Sequence, residues 1–502
     1  MVPDGPIWTI FIRVSVLFFR SITPLCICHS VLYVFGLAPT FAVRQIRPSF
    51  ELITIPETLF YLLVYLPRTY VLQRPTANGN TLSLLERRAL FETCWESVPD
   101  MEHFVRTWFK GVSVSEIRRQ NVRDWLAWGF WNESSALNVP SEELEAFVVA
   151  TEKKLGHRFP EGHGPHQPLR PTLDSVNIQH RPLVYYIFGV GLMDTLVFLK
   201  LWRMGFEHYP VSRWFQSFPF RPLSVFSKQV SPARDVSYWY RPHTSSKHLP
   251  VLFIHGIGIG LVTYTEFFAE LIEMNKNRAP DDQIGVIALE IMPISFRVTS
   301  QTLEQQIMLH QIHQILHLHR WDRRQFALVA HSYGTVIATH LVRDPSISSS
   351  IAPVVLVDPI NVWVHMGDVA YNFTAKTPRS ASEHQLHYFA CTDMGAAHAV
   401  TRRFVWTENV LWKDELATRP YGIVLGGRDI ILDGKRCKDY LLAAQSVVQR
   451  KLIGTGGRDE FVKTKQIELL WFEDLNHAEV FENLKPRKLL VDMVWRSCCG
   501  SW

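Results

Sequence analysis

The sequence predicts an α/β fold, with a mostly parallel sheet, flanking helices and a cap insertion, preceded by a membrane-anchoring and helical N-terminal region. Three observations predict it. In the second half of the 502 residues, short apolar runs rich in β-forming residues alternate with helix-compatible stretches, as in a parallel sheet. Residues 80 to 160 show helical periodicity, and residues 7 to 38 are apolar and poor in charge. We therefore divide the chain into an anchoring segment 1–75, a helical module 76–234 and an α/β domain 235–502.

A single serine lies between a predicted strand and a predicted helix in the α/β domain. The apolar run Phe326–Ala330 comes first, Ser332 follows in a turn, and a helix-compatible stretch runs from Thr335 to Arg343. Small residues stand two positions before and after the serine, at Ala330 and Gly334. They allow a turn tight enough to present the hydroxyl at the carboxyl end of the strand. This A-x-S-x-G variant of the nucleophile elbow predicts Ser332 as a nucleophile.

An oxyanion site is predicted earlier in the chain, after another strand. The apolar run Pro250–His255 leads into Gly256, Ile257 and Gly258. A glycine-rich turn leaves backbone N–H groups free to point at a developing oxyanion. We expect the N–H groups of Ile257 and Tyr333 to form this site.

The acid and the base of a triad are predicted after the serine. Asp429 follows a strand and a glycine turn that begin at Tyr421, and His477 lies in the loop after the strand Ile467–Phe472. The order Ser, Asp, His along the chain is the one expected for a fold with a nucleophile elbow. Asp358 also stands at the end of a strand and is the alternative acid. We favour Asp429, because Asp358-Pro359 is typical of an exit into an insertion.

These motifs resemble the α/β-hydrolase superfamily, over roughly residues 235 to 490. The resemblance implies a serine nucleophile with a histidine base, no metal and no organic cofactor. The whole chain is also similar to a group of uncharacterised, membrane-associated fungal α/β-hydrolase-like proteins. The stretches that carry this narrower likeness are Val98–Phe109, Phe218–Leu223 and Leu249–Gly258. It implies an architecture but no substrate.

The N-terminal segment predicts a membrane anchor. Two apolar runs, Ile7–Phe19 and Ser21–Ala38, flank Arg20, and a third runs from Leu59 to Leu66. A cleaved signal peptide would have one short apolar core and a small-residue cleavage site. We therefore expect an anchor that spans the bilayer or forms a hairpin, with an amphipathic helix in the interface as the alternative. We expect the protein at a membrane, and an intracellular one such as the endoplasmic reticulum would fit.

Residues 80 to 160 predict soluble helices. An apolar stripe at helical spacing is more typical of a buried core than of a binding groove; its members are Met101, Phe104, Val105, Trp108 and Phe109. Ser113 and Glu116 predict a capping box at the start of the next helix, and a further helix is expected from Ser141 to Gly156. The apolar stretch 182–201 predicts a buried or membrane-touching helix. A bilayer span is less favoured there, because Asp194 would be costly in lipid.

Residues 360 to 420 predict a cap over the serine, inserted after Asp358-Pro359. Its large apolar side chains are Trp363, Met366, Tyr371, Phe373, Phe389, Phe404, Trp406 and Trp412. They indicate either an apolar acyl or ring-bearing substrate, or only the core of the cap itself.

Composition narrows the class of function. A net charge of +5 over 502 residues is too small to indicate nucleic-acid binding. A hydrophobic content of 47% with 16 tryptophans suits a large core, a membrane interface or an apolar pocket. We predict a membrane-associated serine hydrolase, esterase- or lipase-like, that cleaves an ester-type bond of a lipid or other apolar ester. The alternatives are an acyltransferase or tailoring enzyme of apolar metabolites on the same fold, and a non-catalytic membrane scaffold. The sequence predicts no oligomeric state.

Overall fold

The computed structural model describes residues 2–37, 47–75, 82–213, 215–443, 445–453 and 458–500. Ten strands of this part of the chain form one sheet, and two short strands pair separately. The strands are β1 Glu207–Tyr209, β2 Ser217–Phe218, β3 Ser237–Arg241, β4 Val251–Ile254, β5 Val286–Glu290, β6 Val298–Thr299, β7 Phe326–His331, β8 Ile351–Val357, β9 Tyr421–Gly426, β10 Gln449–Ile453, β11 Asp459–Lys463 and β12 Ile467–Phe472.

Some helices belong to the N-terminal half of the chain, some cover the two faces of the sheet, and the others form the cap. They are α1 Pro6–Val34, α2 Arg47–Phe60, α3 Leu66–Leu72, α4 Leu84–Ser97, α5 Met101–Trp108, α6 Arg119–Trp131, α7 Ser141–Leu155, α8 Leu192–Arg203, α9 Thr265–Glu273, α10 Gln305–Leu318, α11 Gly334–Arg343, α12 Asp368–Thr374, α13 Ala381–Leu386, α14 Met394–Thr401, α15 Trp406–Asn409, α16 Gly434–Leu442, α17 Glu479–Glu482 and α18 Leu484–Cys498. Stretches of π-helix precede α3 and α8 and follow α13.

The sheet is mostly parallel, as predicted. Its order is β1-β3-β5-β4-β7-β8-β9-β12-β11-β10, and the six strands from β5 to β12 in this order run parallel. The outer strands are antiparallel to them or to each other. The central strands are buried on both faces, which explains their continuous apolar runs. In β7, Leu328 joins the core beneath the cap and Val329 joins the core beneath α9 and α18.

The order in which strands are added to the sheet reverses at β4. From β4 the chain continues to β5 on one side, whereas β7 lies on the other side of β4 and leads on to β8 and β9. Ligands bind in the crevice at the carboxyl ends of strands at such a switch point. The turns after β4 and β7, which contain Ile257 and Ser332, meet there.

The first two N-terminal apolar runs lie in one helix, and the third, Leu59–Leu66, extends from the end of α2 to the start of α3. Ile7–Phe19 and most of Ser21–Ala38 lie in the single helix α1, which continues through Pro24; Ala38 is outside the described residues. α1 packs against α2, and Thr23 donates to the buried carboxylate of Glu57 in the contact. Much of the remaining surface of α1 is apolar and exposed.

The helical module is built around the predicted stripe. All five stripe residues, Met101 to Phe109, are buried in the same core as the sheet and cap, which confirms a core role. The helix Ser141–Leu155 ends at Gly156, whose φ of +85° is a left-handed C-cap. The predicted capping box is wrong. Val114–Glu116 is a short 3-10 turn without a side-chain cap, and the next α-helix begins only at Arg119 because Ile117 is extended.

The apolar stretch 182–201 has one buried and one exposed face. Val197, Phe198 and Leu201 are buried, while Phe188 and Leu192 are exposed. The carboxylate of Asp194 pairs with Arg221 at 3.0 Å and Arg297 at 2.8 Å. The charge of Asp194 therefore faces other residues of the protein, which agrees with the prediction of a partly buried helix.

Arg221 also pairs with Glu290, so a cluster of charged residues, Asp194, Arg221, Arg297 and Glu290, links this helix to the sheet. Glu290, at the end of β5, accepts hydrogen bonds from Arg221 at 2.7 and 2.8 Å and from Trp239 and Ser237 at 3.1 and 2.9 Å. Burial alone would raise the pKa of Glu290, but the charge of Arg221 and the bond to His208 hold that pKa well below its usual range.

Substituting Glu290→Gln should therefore destabilise the protein strongly. The substitution removes one of the negative charges that neutralise the buried Arg221 guanidinium. Breaking a buried ion pair in this way typically lowers the free energy of unfolding by about 3 to 5 kcal/mol. Urea unfolding of the detergent-solubilised protein measures this change. Glu273→Gln, which removes the exposed partner of Lys276, is the matched control and should not shift the transition. Equal transitions for the two variants would contradict a stabilising role for the cluster.

Candidate active site

Ser332 lies in a strained turn between β7 and α11. Its φ is +51°, a value that a non-glycine residue adopts only when its surroundings enforce it. The Ser332 N–H donates to the carbonyl of Val357 at 3.0 Å. A Cβ on Gly334 would lie 2.5 Å from the carbonyl oxygen of Ile254 and 2.8 Å from that of His255. Glycine is therefore required two residues after the serine because α11 crosses close to the end of β4.

The three residues predicted as a triad are joined by hydrogen bonds. Nε2 of His477 lies 2.8 Å from Oγ of Ser332, and Nδ1 of His477 lies 2.6 Å from Oδ2 of Asp429. All three side chains are almost fully buried. In this arrangement Asp429 accepts from Nδ1–H, which leaves Nε2 to accept from the serine hydroxyl.

The loops that carry Asp429 and His477 are fixed against each other. The second oxygen of Asp429 accepts from the N–H groups of Ile431 at 2.7 Å and Leu432 at 3.1 Å. A Cβ on Gly426 would lie 2.6 Å from the carbonyl of Leu475. The glycine turn after β9 thus lets the two loops approach closely enough for Asp429 to reach His477.

Asp358, the alternative acid, holds the loop that carries the histidine. Its Oδ2 accepts from the N–H of Ala478 at 2.8 Å, and Ala478 has a φ of +66°. Nδ1–H of His477 donates to Asp429 and not to Asp358. The same Asp358 oxygen lies 3.6 Å from Nε2 of His331.

A buried chain of polar groups beneath the elbow was not predicted. The Gly256 N–H donates to the hydroxyl of Tyr264 at 2.9 Å, and this hydroxyl lies 2.7 Å from Nδ1 of His331. Burial lowers the pKa of His331. These hydrogen bonds thus connect the turn after β4 with His331, whose Nε2 lies 3.6 Å from Asp358. His331 stands inside the elbow motif, but no sequence pattern marks Tyr264 as its partner.

The two predicted oxyanion donors lie beside the serine. Ile257 and Tyr333 both border the cavity that contains Ser332 and His477. A Cβ on Gly256 would lie 2.8 Å from Cβ of Ser332, so the turn after β4 approaches the elbow directly. Within the described part of the chain, neither the Ile257 nor the Tyr333 N–H donates to another protein group.

A cavity of about 530 Å³ opens onto Ser332. Its walls are largely apolar, with Ile257, Phe296 and Val369 among them, and the cap contributes Phe373 and Phe389. Other large residues of the cap, Trp363, Phe404 and Trp406, are buried in the core instead. The aromatic residues of the insertion are therefore divided between the cavity wall and the core of the cap. Val2 and Pro3 also line the cavity, which the sequence did not predict.

The fold is that of an α/β-hydrolase. The strand order places Ser332 in a tight turn after β7, Asp429 after β9 and His477 after β12. No protein-family model and no curated protein sequence matches the chain.

Several solved structures resemble this one in fold. A bacterial membrane phospholipase A, described as a virulence factor, is 14% identical, with a TM-score of 0.37 over 62% of this chain and 94% of that one. A putative lipase from Acinetobacter baumannii is 13% identical, with a TM-score of 0.36 over 60% and 93%. Naproxen esterase from Bacillus subtilis is 12% identical, with a TM-score of 0.35 over 61% and 98%. The identity is too low for the role of any residue to be carried over.

The environment of His477 favours its protonated form. Burial alone would lower the pKa of His477, but the Asp429 carboxylate, through its charge and hydrogen bond, raises it above the ordinary value of 6.5. The neighbouring charge of Asp358 acts in the same direction. The site is thus suited to stabilise an imidazolium.

Asp358, Asp429 and His477 also bring their ligand atoms within 4.8 Å of one another, close enough to hold a metal ion. However, the two ring nitrogens of His477 contact Asp429 and Ser332. A metal would have to displace one of these contacts. The geometry therefore suits acid–base chemistry better than metal ligation.

Proposed function

We propose that this protein is a membrane-associated serine hydrolase that cleaves an ester-type bond of an apolar, lipid-like substrate. The observation that carries the proposal is the continuous hydrogen-bonded series Ser332–His477–Asp429, placed on a strained elbow and facing an apolar cavity. The likeness to membrane-associated fungal α/β-hydrolase-like proteins agrees with it and remains a prediction.

The residues support a two-step acyl transfer to water. Oγ of Ser332 forms a bond to the carbonyl carbon while its proton passes to Nε2 of His477. The tetrahedral intermediate then collapses, the bond to the leaving alcohol breaks, and His477 returns the proton to that alcohol. Water attacks the acyl-enzyme with His477 again as base. Release of the carboxylic acid restores the serine hydroxyl.

Two further groups assist these steps. Asp429 holds the tautomer of His477 and stabilises its charged form. The N–H groups of Ile257 and Tyr333 donate to the developing oxyanion, and loss of one such donor typically costs about 2.7 to 4 kcal/mol of the barrier. Asp358 acts through the loop and is a positioning residue in this scheme.

The membrane part of the proposal depends on α1. Among the described residues, two helices are long and apolar enough to cross a membrane, Pro6–Val34 and Tyr185–Arg203. The most apolar window of the first is only 17% buried, so the described residues leave most of its apolar surface uncovered. A bilayer would cover it. We infer that α1 anchors the enzyme at a membrane, and an endoplasmic reticulum location would agree with this.

The raised pKa of His477 predicts a specific pH dependence. The general base must be neutral, so kcat/KM should be lost as the pH falls through the raised pKa of His477. The acid limb of the profile should therefore lie above pH 6.5. Rates of ester hydrolysis between pH 5 and 9 measure this limb. A half-maximal rate well below pH 6.5 would contradict the role of the Asp429 carboxylate.

Analysis of the products of ester turnover tests the proposed function. The purified full chain in detergent is supplied with long-chain acyl esters, with and without an added alcohol. Release of free fatty acid that His477→Ala abolishes supports hydrolysis. Formation of a new ester at the expense of the acid would identify the acyltransferase alternative. Neither product from correctly folded protein would favour a non-catalytic scaffold.

A further inference from the structure

The wall of the catalytic cavity is completed by a part of the chain far from it in sequence. Val2 and Pro3 line the same cavity as Ser332 and His477. They immediately precede α1, which begins at Pro6. The proposed membrane anchor therefore continues directly into the substrate site.

Hydrogen bonds fasten this segment to the cap. The Val2 N–H donates to Oε1 of Gln385 at 2.9 Å, and Gln385 is itself a cavity residue. Oδ1 of Asp4 accepts from the N–H of Ser382 at 3.0 Å and from its hydroxyl at 2.9 Å. Three hydrogen bonds thus hold residues 2–4 on α13.

α1 extends this contact along the cap. It packs against α13, and the ring of Phe19 lies 6.3 Å from that of Phe389, a cavity residue. The opposite side of α1 is apolar and exposed at Ile7, Ile10 and Phe11. The cavity therefore lies beneath a helix whose other face requires an apolar cover.

We propose that Val2 and Pro3 form part of the acyl-chain site, and that the substrate is a long-chain acyl ester. The proposal rests on the proposed function, since it assigns a substrate class to the same serine. A chain held against Val2 and Pro3 gains about fourfold in binding for each CH₂ removed from water. Long chains should therefore depend on this wall far more than short ones.

The experiment compares two serine-directed probes on the full chain in detergent. A methyl fluorophosphonate reaches Ser332 without filling the cavity, whereas a dodecyl fluorophosphonate occupies it. In both cases the Oγ–P bond forms and fluoride leaves with the serine proton. The measured quantity is the ratio of the dodecyl to the methyl labelling rate.

Val2→Trp and Pro3→Trp should lower this ratio at least tenfold, because the indole takes the space of the chain. Ile10→Trp, at an α1 position that is 63% exposed, is the matched control and should change it less than twofold. A ratio that stays within twofold in the position 2 and 3 variants would overturn the inference. Failure of the methyl probe to label wild-type protein would instead contradict the proposed function.

A second measurement needs no substitution near the cavity. A dodecyl fluorophosphonate with a diazirine near its chain end is attached to Ser332 of the wild-type protein and irradiated. A cross-link to the peptide that contains Val2 and Pro3 is the expected result. Cross-links confined to other peptides would overturn the inference even if the tryptophan variants were to dislodge the segment.

Discussion

Replacing Ser332 with alanine should lower kcat for ester hydrolysis about 10⁶-fold, to the level left by binding and the oxyanion site alone. The substitution removes the Oγ that forms the acyl-enzyme in the proposed mechanism, while the turn around it stays the same. Alanine also carries a Cβ, so the φ of +51° remains equally strained. Release of fatty acid from a long-chain ester, measured at saturating substrate, gives the ratio.

Ser350→Ala is the matched control for this substitution. Ser350 is also a buried serine of the α/β domain. Its hydroxyl donates to the carbonyl of Asp322, shortly before β7 and away from the cavity. We expect that variant to keep nearly all of its activity. A Ser332→Ala protein that retained more than a few per cent of wild-type kcat would mean that another group is the nucleophile.

The second large effect is expected at Asp429. Asp429→Asn should lower kcat about 10⁴-fold, because the amide favours the tautomer of His477 that cannot accept the serine proton. Asp358→Asn should cost no more than about tenfold, since its amide oxygen can still accept from the Ala478 N–H and the net worth of one such bond is small. Single-turnover rates for the two variants, measured side by side, test the ranking.

The acid limb of the pH profile provides the internal control for this pair. Asp429→Asn removes the charge that raises the pKa of His477, so the limb should move to lower pH. In Asp358→Asn it should move less. A larger loss and a larger shift in Asp358→Asn than in Asp429→Asn would identify Asp358 as the acid.

Much of the sheet could be predicted because its signals are local. The central strands are buried on both faces, so each is a short apolar run in the sequence. The groups of the candidate site stand directly after such runs, where the carboxyl ends of parallel strands meet. Ser332, Asp429 and His477 could therefore be selected from their positions, and the structure brings them together.

The features that the sequence did not predict depend on tertiary contacts. Tyr264 bonds His331 only because α9 starts beneath the elbow. Val2 and Pro3 line the cavity because α1 packs along the cap. The partners of Asp194 lie on loops distant in sequence. The capping box at Ser113 was predicted from a local pattern, but the chain forms only a short 3-10 turn there and Ile117 is extended.

Mapping a fluorophosphonate adduct on the full chain tests the central claim most directly. After labelling of the wild-type protein in detergent and digestion with trypsin, we expect one adduct, on Ser332 in the peptide of residues 325–343. Ser332→Ala should carry no adduct, and His477→Ala should label at least a thousandfold more slowly. Folded wild-type protein without an adduct, or an adduct on another residue that persists in Ser332→Ala, would contradict the claim that Ser332 is an activated nucleophile.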